Sequence, residues 1–268
     1  MNRFRSLVLA AGTLVIAGCG GGRSPEAGEA GGSPSAIPAQ AEGASAQEVD
    51  SLFRLAESRI RRGKWGDAIE HLERVMLEFS PGDSRIPQAR YFLAEAKLAI
   101  GSHLEAAREF RRVSDETPND RLAPEALLRV GDVYADLWRR PELDPSYGQT
   151  AIATYQELLN RYANTPAAAR AQKRIDELQE RFAYKEYRAA LFYFRLKAYD
   201  SAVLYLKDVV ATYPRASIAP DALIKLVEAY RRLGYQEDVK ETCGYLRRFH
   251  PSAVRGRSPC PADTAGTS

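Results

Sequence analysis

The feature that most restricts what this 268-residue chain can fold into is a turn that recurs along it. Gly63-Lys64-Trp65-Gly66-Asp67-Ala68, Gly101-Ser102-His103-Leu104-Glu105-Ala106, Leu196-Lys197-Ala198-Tyr199-Asp200-Ser201-Ala202 and Gly234-Tyr235-Gln236-Glu237-Asp238-Val239 each run from a break through polar or acidic residues to a small one. Take the small residue as reference: Ala68, Ala106, Ala151, Ala202 and Val239. Four positions later stands a large or core-type residue (Leu72, Phe110, Tyr155, Leu206, Cys243), and seven later an aliphatic one (Val75, Val113, Leu158, Val209, Leu246). Offsets of four and seven share one helix face, so each turn opens a helix. Twelve positions before the reference sits another slim residue (Ala56, Ala94, Ala190, Val227), and in the third unit its equivalent is Gly131, twenty before Ala151. A slim residue there lets the preceding helix approach closely. From Gln47 onward the apolar residues keep helical spacing, and no alternating run is long enough for a strand. The body is therefore all-α.

The reference residues lie 38, 45, 51 and 37 positions apart. Ser80-Pro81-Gly82-Asp83, Thr117-Pro118-Asn119-Asp120, Asn164-Thr165-Pro166 and Tyr213-Pro214 break the chain between units, and Pro87, Pro124, Pro166 and Pro220 stand where a first helical turn tolerates a missing amide. The extra length has two homes. One is an insertion at about Arg139 to Tyr147, with Pro141 and Pro145; the other is Ala167 to Leu196, which holds no Gly or Pro and reads as one helix of about 45 Å. The expectation is an α-solenoid of about five helix pairs over residues 47–251. The pattern resembles tetratricopeptide (TPR) repeats, although its spacing exceeds their usual length of about 34.

Glycine is unevenly spread: Gly12, Gly18, Gly20, Gly21, Gly22, Gly28, Gly31, Gly32 and Gly43 all precede the helical body. Arg3 and Arg5 followed by the mostly apolar Ser6 to Ile16 have the layout of a secretory signal, too short to span a bilayer. Ile16-Ala17-Gly18-Cys19 resembles the bacterial lipobox, which implies cleavage before Cys19 and a covalent lipid on its thiol and amine. An ordinary signal peptide with a chance cysteine is the plainer alternative. Several acyl chains give a stable anchor, since each buried methylene contributes about 0.8 kcal/mol. The residue after Cys19 is Gly20, not the Asp that marks inner-membrane retention in many such lipoproteins, so the resemblance implies the outer membrane, periplasmic face. The reading divides the chain into a signal peptide (1–18), a lipidated Cys19 with a disordered Gly/Ala/Ser/Pro tether (19–46), the helical domain (47–251) and a C-terminal tail (252–268).

Lipobox, tether and five long helix pairs together resemble the BamD family of outer-membrane lipoproteins, also called YfiO or ComL. The best stretches are Ala46 to Phe79, Tyr162-Ala163-Asn164-Thr165 before the long helix, and Phe182-Ala183-Tyr184-Lys185-Glu186-Tyr187 leading through Lys197-Ala198-Tyr199 to Tyr213-Pro214-Arg215-Ala216. Ala163 stands where the family tends to have Pro, and the tail from Ser252 is not a family feature. The resemblance implies a non-catalytic scaffold subunit of the β-barrel assembly machinery. Its partners would be the periplasmic domains of the barrel insertase, accessory lipoproteins and unfolded outer-membrane protein segments, with the membrane contacted through the lipid anchor.

In the TPR pattern the first helix of each pair lines a concave surface suited to an extended peptide or a partner domain. The positions that match it include Phe53, Glu57, Tyr91, Glu95, Asp132, Tyr187, Phe194, Arg195, Glu228 and Arg231. Tyr184, Tyr187 and Leu191 share a face of the long helix, either as groove or as ordinary inter-repeat core; Glu95, Glu228, Arg231 and Arg232 fit a groove or a solvated face. The formal charge of +3 falls to about +1 once Arg3 and Arg5 are removed, too little to imply nucleic acid. His71, His103 and His250 lack partners at metal-ligand spacing, and no phosphate-cradling or nucleophile-elbow motif occurs, so neither a cofactor nor an enzyme is expected. The cluster Arg59, Arg61, Arg62 and Lys64 is the strongest positive patch. It reads as a phosphate or lipid-headgroup contact, or as cations offsetting a helix dipole.

Cys243 and Cys260 are the remaining cysteines. A disulfide between them would cap the end of the solenoid and, closing seventeen residues, contribute about 3 kcal/mol; two free thiols are the alternative. Two other functions stay open on the same scaffold. One is a coordinator of Tol-Pal or peptidoglycan machinery, which would usually carry a coiled-coil segment and lack the lipobox. The other is a glycan-binding lipoprotein, which would want exposed tryptophan in a groove, where this chain offers only Trp65 and Trp138.

Overall fold

The computed structural model describes residues 45–253 and Cys260; the signal peptide, Cys19 and most of the tether and tail lie outside them. Among the described residues ten helices follow one another: α1 (Ala46–Arg61), α2 (Trp65–Glu78), α3 (Ile86–Ala99), α4 (His103–Glu116), α5 (Ala123–Leu137), α6 (Ser146–Arg161), α7 (Pro166–Arg195), α8 (Tyr199–Thr212), α9 (Ala219–Leu233) and α10 (Gln236–Phe249). The five-pair solenoid expected from the turns is the architecture observed, and α1 begins one residue before the expected boundary. Ser45 caps α1 in a capping box with Glu48, donating its backbone N–H to Oε2 (2.7 Å) and accepting the Glu48 N–H (3.4 Å). The prolines at the starts of α3, α5, α7 and α9 all fall in the first turn.

Short turns join the members of every pair but the third, and three of them reverse the chain through a glycine with positive φ: Gly63, Gly101 and Gly234. In the fourth pair Lys197 holds the same left-handed conformation at φ 59°, which strains any residue with a Cβ. Each helix packs on the next, and α1 on α3, α5 on α7 and α7 on α9 add contacts between first helices. The reference residues Ala68, Ala106, Ala151, Ala202 and Val239, and their upstream partners Ala56, Ala94, Gly131, Ala190 and Val227, are all buried. Gly131 is the tightest of these crossings. A Cβ there would stand 2.3 Å from the Tyr155 ring.

Four apolar cores lie in series. Val49, Phe53, Leu72 and Val75 build the first, and Phe110, Val113 and Val130 the second. Leu127, Tyr155, Leu158, Ala167, Ala171, Ile175, Leu178 and Phe182 build the third, and Ala183, Ala190, Leu206, Leu226 and Leu246 the last. Burying each Leu or Val side chain contributes about 1.5–3 kcal/mol. The long helix therefore serves two cores with its two halves. The insertion between α5 and α6 is a loop closed by Trp138, which is 1% exposed, packs on Phe182 at 4.3 Å and lies under the Arg181 guanidinium at 4.6 Å. Gly148 makes room for that indole: a Cβ there would meet it at 2.4 Å.

At the end of the array Cys243 and Cys260 are disulfide-bonded, with Cα atoms 5.6 Å apart. Cys243 is buried in the last core, and Cys260 packs against the same core from outside the helix. Among the described residues no helix is long and apolar enough to cross a membrane.

Candidate partner-binding face

The antiparallel pairs bring first helices together, α1 with α3, α5 with α7 and α7 with α9, and the candidate groups stand on these helices. On α3, Tyr91 sets its ring edge-on to Phe110 at 5.1 Å. Burial, reinforced by the Glu95 and Glu125 carboxylates, pushes its hydroxyl up to about 12. Glu95 is also half-buried, and desolvation raises it above the usual carboxylate range although Arg129 pulls the other way.

Beside them α5 and α7 are cross-linked by charge. Glu125 pairs with Arg170, and Asp132 accepts the Tyr155 hydroxyl at 2.8 Å and Arg174 Nε at 3.2 Å, with Arg129 3.8 Å away. Burial and Asp132 both hold the Tyr155 hydroxyl far above its ordinary range. Arg129, Asp132, Asp136, Arg174, Glu177 and Arg181 surround a cavity of about 220 Å³. These groups can meet a polar or charged extended segment; among the described residues no cluster could hold a metal ion.

The second half of the face lies where α7 meets α9. Tyr187 is half-buried against the last core, and desolvation with Asp221 and Glu228 nearby pushes its hydroxyl up to about 12. Phe194 stands edge-on to Tyr199 at 5.3 Å with Lys225 Nζ 5.2 Å from its ring centroid, and Lys225 donates to Glu228 at 2.7 Å. Tyr187, Phe194 and Glu228 thus form one group.

The other candidates fall elsewhere. Phe53 is core, stacked with Phe92 at 6.5 Å, while Glu57 accepts from Gln88 at 3.4 Å. Arg195 is exposed on another flank of α7, lining with Tyr184, Arg188, Phe192 and Pro141 a cavity of about 480 Å³. Tyr184 belongs to that flank as well, so the expected stripe of Tyr184 and Tyr187 divides: three positions turn a helix short of a full turn, and here the burial boundary runs between them. Arg231 is exposed in the last turn of α9. Arg129, Arg170, Arg174, Glu125 and Lys225 line the face without having been singled out from sequence. Arg129 lies three positions before Asp132, and Arg170 and Arg174 are four apart on α7, a spacing that could have flagged them.

Residues 45–245 match the model of the family YfiO, described as outer membrane lipoprotein. The outer membrane protein assembly factor BamD of Vibrio cholerae is 29% identical over 209 residues, 71% of this chain and 83% of that protein. BamD of Xylella fastidiosa is 29% identical over 199 residues, covering 69% and 67%. BamD of Caulobacter vibrioides is 24% identical over 198 residues, covering 74% of this chain and 65% of its own length. Among solved structures, a TPR protein of Thermus thermophilus is similar at 18% identity and TM-score 0.35, covering 77% of this chain and 94% of that one.

Proposed function

The chain belongs to the YfiO (BamD) family of outer membrane lipoproteins, and from that membership we propose that it is an outer membrane protein assembly factor acting as a non-catalytic scaffold. It is held at the periplasmic face of the outer membrane by lipid on Cys19. The signal peptide of residues 1–18 is removed, and the following segment to residue 46 tethers the helical domain. Its partners are the periplasmic domains of the barrel insertase, accessory lipoproteins, and unfolded outer-membrane protein segments.

The observation that carries this reading is that the family match spans nine complete helices and most of α10, so the whole described scaffold is the family's. The face of Tyr91 and Glu95 at one end and Tyr187, Phe194 and Glu228 at the other supports a binding mode. Its groups are half-buried, oriented by neighbours and open on one side, which lowers the ordering cost of docking. Arg195 and Arg231, on other flanks, are proposed as contacts at the margin of that face. The glycan-binding reading is weakened because Trp138 is buried and takes no part in a groove.

Affinity purification from detergent-solubilised envelopes tests the proposal. The barrel insertase should appear as a stoichiometric partner, and its absence would defeat the assignment. For the anchor, Cys19→Ser should leave the outer-membrane fraction; a protein that stays there is held by something other than lipid.

A further inference from the structure

The turn between α1 and α2 differs from its counterparts in the same array. The residue that follows the first helix of each pair as its C-cap is Ile100, Trp138, Leu196 and Gly234 in pairs two to five, but Arg62 in the first; the residue preceding the second helix is Ser102, Pro145, Ala198 and Tyr235, but Lys64 in the first. Arg61, Arg62 and Lys64 are exposed and make no ion pair or side-chain hydrogen bond among the described residues.

Folding does not ask for this arrangement. The C-terminal dipole of α1 accounts for Arg59 and Arg61, but Lys64 sits at the positive end of α2, where a cation is unfavourable and caps nothing. Two acids that follow these turns are already engaged, Asp67 by Arg59 at 3.5 Å and Glu105 by Lys97 at 3.7 Å. At the opposite edge most cations are matched, Arg85 with Asp83 and Asp50, Arg90 with Glu116 and Arg161 with Asp115, while Arg121 and Arg215 stand singly in separate turns and form no cluster.

Apolar groups adjoin the cations. Trp65 is half-buried in the turn with its indole nitrogen beside Gly63. Because α1 and α3 run in the same direction, the α3–α4 turn lies on the same edge and adds Ile100 and Leu104, 53% and 42% exposed. Unpaired cations flanked by an amphipathic indole and exposed aliphatics match the chemistry of an anionic bilayer surface, with headgroup charge above acyl chain.

We propose that this edge, centred on Arg61, Arg62, Lys64 and Trp65, docks on anionic phospholipid of the membrane that carries the chain. The proposal rests on the lipid anchor assigned above. The chain between Cys19 and Ser45 has a contour of about 85 Å, several times the roughly 24 Å length of α1. It is long enough for the edge remote from the start of α1 to reach the bilayer.

The test uses the lipidated protein bound to vesicles of neutral phosphatidylcholine, or of phosphatidylcholine with about 30% phosphatidylglycerol, each containing acyl chains brominated near the headgroup. Trp65 reports contact by quenching; Trp138 is sheltered, and Trp65→Phe identifies its background. Quenching is expected with the anionic vesicles only, reversed at about 0.5 M salt. In Arg61→Gln/Arg62→Gln/Lys64→Gln the docked-to-undocked ratio should fall on the order of 100-fold, from roughly fivefold per cation, with an unchanged melting temperature. Equal quenching with neutral and anionic vesicles, or in the triple variant, overturns the proposal while flotation with both vesicles upholds the anchor. Flotation with neither vesicle overturns the anchor and this docking with it. Flotation and salt-sensitive quenching with anionic vesicles alone upholds the docking and refutes the anchor.

Discussion

Gly131→Ala puts the packing account of this solenoid to a direct test. A Cβ at Gly131 would lie 2.3, 2.6 and 2.8 Å from three ring carbons of Tyr155, a fully buried residue whose hydroxyl donates to Asp132 at 2.8 Å. The ring must move or the helices must part. Overpacking of this kind costs about 1–3 kcal/mol. Drawing the hydroxyl off a carboxylate forfeits about 1.5–3 kcal/mol more, against a helix-propensity gain of about 1 kcal/mol for removing glycine. The balance is a loss of about 1.5–5 kcal/mol, or roughly 3–20 °C in melting temperature for a domain of this size. Gly244→Ala supplies the control, since a Cβ there meets nothing within 4 Å; it should gain up to about 1 kcal/mol. Thermal unfolding by circular dichroism measures both, and adding Tyr155→Leu to Gly131→Ala should recover part of the loss through coupling between the two sites. If Gly131→Ala melts at or above the parent temperature, the close crossing of α5 and α6 is not what demands glycine.

Three further expectations concern the ends and the face of the array. Reducing the Cys243–Cys260 bond, or replacing Cys260 with Ser, should lower stability by about 3 kcal/mol from the loop it closes, with α10 losing hydrogen-exchange protection before the other helices; unchanged protection of α10 would contradict a stapling role. Lys197→Gly relieves the left-handed backbone at φ 59° and should stabilise by about 1 kcal/mol, read as a shift in urea midpoint at constant slope. Glu95 is raised by burial, so its favourable, protonated contribution is present below the ordinary carboxylate range and is lost as pH rises through the raised value. Glu95→Gln should therefore melt higher than the parent at about pH 7, and the advantage should vanish by about pH 4; an advantage independent of pH would show that charge is not its source.

The helices were legible because their information is local. A reference alanine with an aliphatic seven residues on, or a proline followed by apolar spacing, carries its meaning within one element, as at Ala106, Val113 and Pro124. The crossings were legible too, because Ala56 and Ala94 answer to a partner at a fixed repeat distance, and Gly131 to one displaced by the insertion before α6. The face was less so. Arg129 and Arg174 matter only because α5 and α7 lie beside each other, and the rotation of α7 about its own axis decides whether Tyr184 or Tyr187 is buried. Both depend on packing angles accumulated over several units, which no single periodicity encodes. Trp138 shows the same limit: from sequence it is a tryptophan by a proline-rich insertion, and only the long helix passing overhead, with Phe182 and Arg181, makes it core.

The continuous α7 makes the domain a ruler. Its thirty residues span about 45 Å, and with no Gly or Pro after Pro166 the rod has no hinge between the half that pairs Arg170 and Arg174 with α5 and the half that carries Tyr187 and Phe194. Two ligands held at those places are kept at a set separation and heading, and motion imposed on one is delivered to the other undiminished. The separation can be graduated: removing seven residues from the middle of α7 would draw the halves together by about 10 Å while turning them by only about 20°, whereas removing five would twist one binding surface most of the way off the side that the other presents.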